Sequence, residues 1–331
     1  MAKIVVTADI HARIEDPFFT AHDLFFKWFL DDSGLNEKEN TLIDLGDLFH
    51  NSRPNPRTIQ QVNTFFQNLS IRSVYLQAGN HDYNADRHSW SIDAIPNSPT
   101  EDTIVYKIKN PMEIMISNKV RIYFFPFMPR RDIIEWTNGE YRTLKDLYES
   151  YRDDSNFDPD FLFYHFPDET QAFGGIANGI NLSWFKTGQL VGGDIHIQTN
   201  RYIGTPFPTR KDEAGQTGHL LIIDTETKKV EYVEVPQFMD YPVVKYGKDL
   251  PESKYPRAYI FEDAPSRGAV YSRYEIEEPS IYHEIKVKED ASKSILTGDS
   301  TEGKTVKDFF KELAEKKKIK KAVQEKVAEV L

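Results

Sequence analysis

The chain has 331 residues, long enough for one large domain and a smaller one. It contains no cysteine, which excludes disulfides and thiolate metal sites and leaves histidine, carboxylate and amide side chains to build any ligand set. A formal net charge of −11 argues against a protein that holds nucleic acid by a diffuse basic surface. An enzyme whose positive charge is local, supplied by bound divalent cations, stays compatible with it.

The start, "MAKIVVTADIHARIED", has an apolar run too short and too soon interrupted by charge for a signal peptide. No segment approaches a membrane span, so a cytoplasmic protein with no membrane partner is the expectation. Taken in order, "KIVVTAD" (3–9) reads as a buried strand and "FFTAHDLFFKWFLDD" (18–32) as a helix with an aromatic face. "NTLIDLGD" (40–47) is a second strand, and "PRTIQQVNTFFQNL" (56–69) a helix opened by proline. "RSVYLQAG" (72–79) and "KVRIYFFPF" (119–127) are a third and a fourth strand, and "RTLKDLYESYRDD" (142–154) a further helix. "DFLFYHF" (160–166), "GQLVGGD" (188–194) and the hairpin "HLLIIDTETKKVEYVEV" (219–235) complete the run. Strands alternating with helices, then strands alone, predict an α/β core whose sheets are covered by helices.

From about residue 240 short alternating segments separated by Pro, Gly and Ser predict a small β-rich appendage. The division is 1–238 for the main domain, 239–291 for the β-rich one, 292–303 for a linker and 304–331 for a helical tail. The tail sets Val306, Phe309, Phe310, Leu313, Ile319, Val323, Val327 and Leu331 at helical spacing among many lysines.

Four polar clusters each follow an apolar strand directly: Asp9-Ile10-His11, Gly46-Asp47-Leu48-Phe49-His50, Gly79-Asn80-His81-Asp82 and Asp194-Ile195-His196. His165 ends a fifth strand. Carboxyl ends of strands form the ligand crevice of open α/β sheets, and Asp, His and Asn gathered there suit Mn²⁺, Fe²⁺, Mg²⁺ or Zn²⁺. One carboxylate can bridge two such cations and assist a phosphoryl displacement. Singly, a D-x-H after a strand is ordinary turn chemistry, and a lone histidine is more often a satisfied core residue. "GNHD" is harder to dismiss, because four small, polar or ionisable residues have no core role. Asp82 reads as structural, orienting the His81 imidazole. In an extended segment Asp194 and His196 would point the same way.

The order DxH, GDxFH, GNHD, a strand-end His and a final G-x-x-H element resembles the calcineurin-like metallophosphoesterases, and within them the SbcD nuclease family, the bacterial and phage counterparts of the double-strand-break repair nuclease. Protein Ser/Thr phosphatases continue the second motif with an Asp-Arg-Gly run, whereas this chain has "GDLFHNSRP". "RYIGTPFPTR" (201–210) followed by "GHLLIIDTET" also looks like the SbcD pattern. The resemblance implies a β-sandwich flanked by helices, with a small β-rich capping domain and a C-terminal helical segment. It implies that Asp9, His11 and His196 hold one cation, that Asp47 bridges, and that Asn80, His165 and residue 194 hold a second. His81 would stabilise the scissile phosphate or protonate the leaving oxygen, and His50 would help place the DNA phosphate. The cations would be Mn²⁺, with Mg²⁺ as the substitute, and a water they activate would be the nucleophile.

The chain departs from this family at Asp194, where the family has the first histidine of Gly-His-x-His. A carboxylate can coordinate at a similar bond length, which would leave the site one unit less positive and favour Mn²⁺ or Mg²⁺ over Zn²⁺. The competing reading turns Asp194 away and leaves the second cation weak or missing. The expected function is exonuclease, and single-strand endonuclease, hydrolysis of DNA in recombination or repair. The alternatives are a calcineurin-like phosphatase or small-substrate phosphodiesterase, and a metal-depleted structural subunit. Basic residues in "FMPRRD" (127–132) and "FPTRKD" (207–212) read as loop positions that touch DNA phosphates or are simply solvated. The helix face near 58–69 belongs to the core or to a homodimer contact. The tail has the stripe needed to dock an SbcC-type coiled-coil ATPase, or else lays its lysines on DNA.

Overall fold

The structure, a computed structural model, describes residues 2–154, 157–168, 179–185, 189–252, 254–264 and 284–287. The expected linker (292–303) and tail (304–331) lie outside the described residues, as does much of the 239–291 segment. The first of two compact units runs through Ile260 and carries the whole candidate site.

Among the described residues ten strands make its two large sheets. They are β1 (Lys3–Thr7), β2 (Thr41–Asp44), β3 (Ser73–Gln77), β4 (Ile104–Ile108), β5 (Met112–Ile116), β6 (Val120–Phe125), β7 (Phe161–His165), β8 (Gln189–Gly193), β9 (His219–Asp224) and β10 (Val230–Glu234). One sheet has the order β10-β9-β1-β2-β3-β4 and the other β8-β7-β6-β5. β1 to β4 run parallel, as do β6 to β8, while β9 lies antiparallel to β1.

Alternation along β1 explains the layering. Val5 enters one core and Ile4 and Val6 the other, so this strand is buried on both faces. The Ile4 side meets Ile122, Phe124, Phe161 and Phe163 of the second sheet. The Val5 side is covered by α1 (Phe18–Asp31) and α2 (Pro56–Gln67). In α1, Phe18, Ala21, His22, Phe25, Phe26 and Phe29 form the buried stripe, each Phe contributing roughly 1.5–3 kcal/mol on burial. Asn55 caps α2 by accepting from Arg57 N, with Pro56 at its first position, and Phe65 stacks on Phe26 at 4.5 Å. The outer face of the second sheet (Phe125, Leu162, Tyr164) packs on α3 (Arg130–Trp136) and α4 (Leu144–Ser150) through Ile133, Leu147 and Tyr148. The result is a sandwich of two sheets between helical layers, the expected α/β class.

Several details differ from the sequence reading. β4 and β5 precede the strand expected over 119–127, and Arg130 and Arg131 lie on a helix rather than a loop. The helix expected over 142–154 ends at Ser150, with a 3₁₀ turn at Tyr151–Asp153. Beyond the sandwich, short strands form at Val243–Lys245, Ile260–Ala264 and Glu284–Val287, and Phe238, Met239, Tyr241, Ala258 and Ile260 belong to the core that α1 covers.

Candidate metal centre

Parallel register brings the strand ends to one edge. Thr7 pairs with Asp44, Asp44 with Leu76, and Gly193 with His165, so the residues that follow are delivered side by side. The first two loops then lace together: Asp9 N donates to Gly46 O (3.0 Å), His11 N to Asp47 O (2.9 Å) and His50 N to Ala12 O (3.1 Å). Asp9, His11, Asp47 and Asp194 all adopt left-handed backbone, with φ of 53°, 51°, 57° and 78°. Such conformations cost energy for residues with a Cβ and persist only where surroundings hold them, which is common at functional sites. At Asp194 the left-handed turn removes the extended geometry expected for 194–196, so alternation does not align Asp194 with His196.

Two glycines are required by space. A Cβ at Gly46 would overlap the His165 ring, and one at Gly79 would overlap the carboxylate and amide of Asp47. The glycines of "GDLFH" and "GNHD" thus let Asp47 and His165 occupy the floor of the site.

The side chains converge as follows. Asp47 Oδ2 lies 3.7 Å from His11 Nε2 and 3.4 Å from His165 Nε2, between the two rings. Asp47 Oδ1 accepts from His81 N at 2.8 Å. His11 Nε2 faces His196 Nε2 at 3.0 Å, and His165 Nε2 lies 3.2 Å from Asn80 Oδ1. His165 Nδ1 donates to Leu45 O (2.7 Å) and His81 Nδ1 to His50 O (2.7 Å), which leaves Nε2 of each ring turned to the site. Among the described residues three groups of potential ligand atoms lie close enough to share an ion: Asp9 with His11 and His196, Asp9 with Asp47 and His165, and His11 with His50 and His81. Asp194 belongs to none of them; its main-chain N–H donates to both carboxylate oxygens of Asp9, at 3.0 and 3.1 Å.

Charge and burial test whether cations fit. Asp9, Asp47, His11 and His165 are each no more than 1% exposed. Burial pushes the Asp9 carboxyl up to about 6, against the pull of His165 and His196. Burial also raises Asp194, opposed by His165, and drives His11 well below the ordinary histidine value, with His196, His81 and His50 adding to it. Burial alone would raise Asp47, but His165 beside it holds it below the ordinary range; the same contact raises His165 against its own burial. Buried carboxylates and imidazoles crowded into one place form a mixed oxygen and nitrogen donor set, which suits a divalent cation. The residues fit the group.

A further expectation is corrected. Asp82 does not orient the His81 imidazole, which is held by His50 O. Its Oδ2 accepts from Asp47 N and Gly79 N, both at 3.0 Å, and its Oδ1 from Ser91 Oγ at 2.8 Å. It therefore ties the "GD" and "GNHD" loops together, and burial, then Asp47, pushes its carboxyl up to about 7. The sequence reading missed Glu213, whose carboxylate accepts from His196 Nδ1. No spacing rule links the two residues.

A double sheet between helices, with imidazoles and carboxylates gathered at its strand ends, defines a metal-dependent phosphoester hydrolase. The chain belongs to the calcineurin-like phosphoesterase family, which it matches over residues 2–202, a family that binds two divalent metals. Among solved structures it is similar to an archaeal phosphodiesterase, at 14% identity and a TM-score of 0.34, over 70% of this chain and 99% of that one. It is also similar to a protein of unknown function from Aquifex aeolicus, at 17% identity and a TM-score of 0.29, over 51% of this chain and 82% of that one. No curated protein matches the chain.

Proposed function

We propose that this chain is a DNA nuclease of the SbcD type, hydrolysing phosphodiester bonds with two divalent cations, Mn²⁺ by preference. The observation that carries the two-cation reading is the position of Asp47 Oδ2 between His11 Nε2 and His165 Nε2, as a bridging ligand requires. Asp9, His11 and His196 would hold one ion, and Asn80, His165 and Asp194 the other. When bound, the cations supply Lewis-acid polarisation of the phosphate and an activated water. The protein's part is positioning and proton transfer. His81 is held through Nδ1 by His50 O, so its Nε2 is the ring atom left to neutralise a non-bridging phosphate oxygen or pass a proton to the leaving oxygen. His50 supports the nuclease reading: its ring stacks beside His81 at 5.8 Å, adding a second donor for a phosphodiester.

The substrate is tested with purified protein, Mn²⁺, and linear duplex and single-stranded DNA beside a His81→Ala control. DNA cleavage that disappears in the control and on chelation is expected. Hydrolysis of a small phosphodiester with DNA untouched would replace the nuclease reading by the small-substrate one.

Two partnerships complete the proposal. The tail, 304–331, docks an SbcC-type ATPase, so its deletion should abolish co-purification and spare cleavage of a short substrate. A homodimer forms through the helix face near 58–69, beside a groove of about 600 Å³ lined by Phe19, Asp23, Arg57, Gln60, Thr64 and Asn68. Sedimentation of the full chain tests it.

A further inference from the structure

We propose that Glu213 is a positioning residue for His196, fixing which ring nitrogen faces the metal centre; the inference rests on the two-cation reading. Glu213 sits on a short 3₁₀ turn, Lys211–Glu213, and is 3% exposed. Its Oε1 accepts from His196 Nδ1. Its Oε2 accepts from Thr209 N (2.6 Å), Thr209 Oγ1 (3.1 Å) and Arg210 N (3.1 Å). The same loop holds the His196 backbone, since Thr205 N donates to His196 O at 3.1 Å. The loop is braced in turn by Arg13, which donates to Thr209 O and stacks 3.4 Å from the centroid of the Phe18 ring.

An ionised carboxylate only accepts, so the Glu213 contact demands a proton on His196 Nδ1. A neutral His196 ring then keeps its lone pair on Nε2, the atom that meets His11 Nε2 at 3.0 Å beside Asp9. Free histidine side chains favour the opposite tautomer, with the proton on Nε2, where it would block coordination. Glutamate is needed rather than its amide. If Gln turned its oxygen to His196, its NH₂ would face the N–H groups of Thr209 and Arg210, donor against donors. The same carboxylate oxygen also accepts from the Arg210 backbone, which holds Glu213 itself in place beneath the ring. Partners that orient a metal-binding histidine in this way typically contribute 10–100-fold in metal affinity.

The test is a double-mutant cycle on the full chain, following Mn²⁺ binding by titration in wild type, Glu213→Gln, His196→Ala and the double variant. Glu213→Gln should weaken one of two Mn²⁺ ions roughly 10–100-fold. In the His196→Ala background it should add less than about twofold, because Glu213 acts through the ring. An equal loss with and without His196, or no loss at all, overturns the proposal. Nitrogen-15 spectra of the wild-type histidines, followed up to a pH at which the ring is neutral, give a reading that needs no variant: the metal-free, neutral His196 ring should carry its one proton on Nδ1, and a neutral ring with its one proton on Nε2 contradicts the proposal. A wild type that takes up no Mn²⁺ would sink the two-cation reading and leave the tautomer to decide what Glu213 does.

Discussion

Replacing Asp82 by Asn should stabilise the metal-free protein at neutral pH, although Asp82 is buried and fully hydrogen bonded. Its Oδ2 takes two backbone N–H groups and its Oδ1 takes the Ser91 hydroxyl. An asparagine oxygen can keep the backbone pair while its NH₂ donates to Ser91 Oγ, which accepts as readily as it donates. What the substitution removes is a buried negative charge beside Asp47. Folding raises the Asp82 carboxyl from 3.8 to about 7, so the folded state binds its proton more tightly than the unfolded chain. Stability is therefore undiminished below the unfolded value and falls as pH rises through the window between the two. The loss is complete above the folded value and amounts to about 4 kcal/mol. In urea unfolding with chelator present, Asp82→Asn should match wild type near pH 4 and exceed it by up to that amount at about pH 8. Asp82→Ala should instead lose roughly 2–6 kcal/mol, since two buried N–H groups are left without an acceptor. Bound cations favour the ionised carboxyl, so the stabilised Asn variant should hold Mn²⁺ less tightly. If Asp82→Asn is destabilised at pH 8 as severely as Asp82→Ala, the charge argument is wrong.

Three further outcomes are expected. Gly79→Ala places a methyl on the Asp47 carboxylate and should weaken Mn²⁺ binding at least ~10-fold with a stability loss of roughly 1–3 kcal/mol, both readable by titration and thermal unfolding; unchanged binding would mean that Asp47 tolerates displacement. Asp194→Ala should lower metal stoichiometry and activity together if its carboxylate is a ligand, and metal analysis showing both unchanged would remove it from the set. His81→Ala should keep its metals and lose roughly 10²–10⁴-fold in kcat, and a variant that loses its metals instead would make His81 a ligand.

The strands and the candidate site were legible where residues had no alternative use. "GNHD" and "GDLFH" follow buried strands and hold nothing a core could employ, and the structure brings Asp9, His11, Asp47, Asn80, His81, His165 and His196 together. β4 and β5 were not legible because both are sheet edges with solvent-facing apolar residues. Ile104, Tyr106, Met112 and Met115 are exposed, which blurs the alternation that marks a half-buried strand. Asp82 misled because chain adjacency to His81 suggested contact, whereas its side chain turns back to the amides of Gly79 and Asp47. The Asp194–His196 pair misled in the same way, through a left-handed residue that no periodicity reveals. Glu213 lies on a short 3₁₀ turn far along the chain from the motif it serves, so its role emerges only from tertiary contact.

The bridging role of Asp47 is tested most directly by anomalous diffraction from crystals soaked in manganese. Two peaks about 3.5–4 Å apart, with the Asp47 carboxylate between them and His11 and His165 on opposite sides, are expected. A single peak, or two peaks with Asp47 touching at most one, would contradict the account.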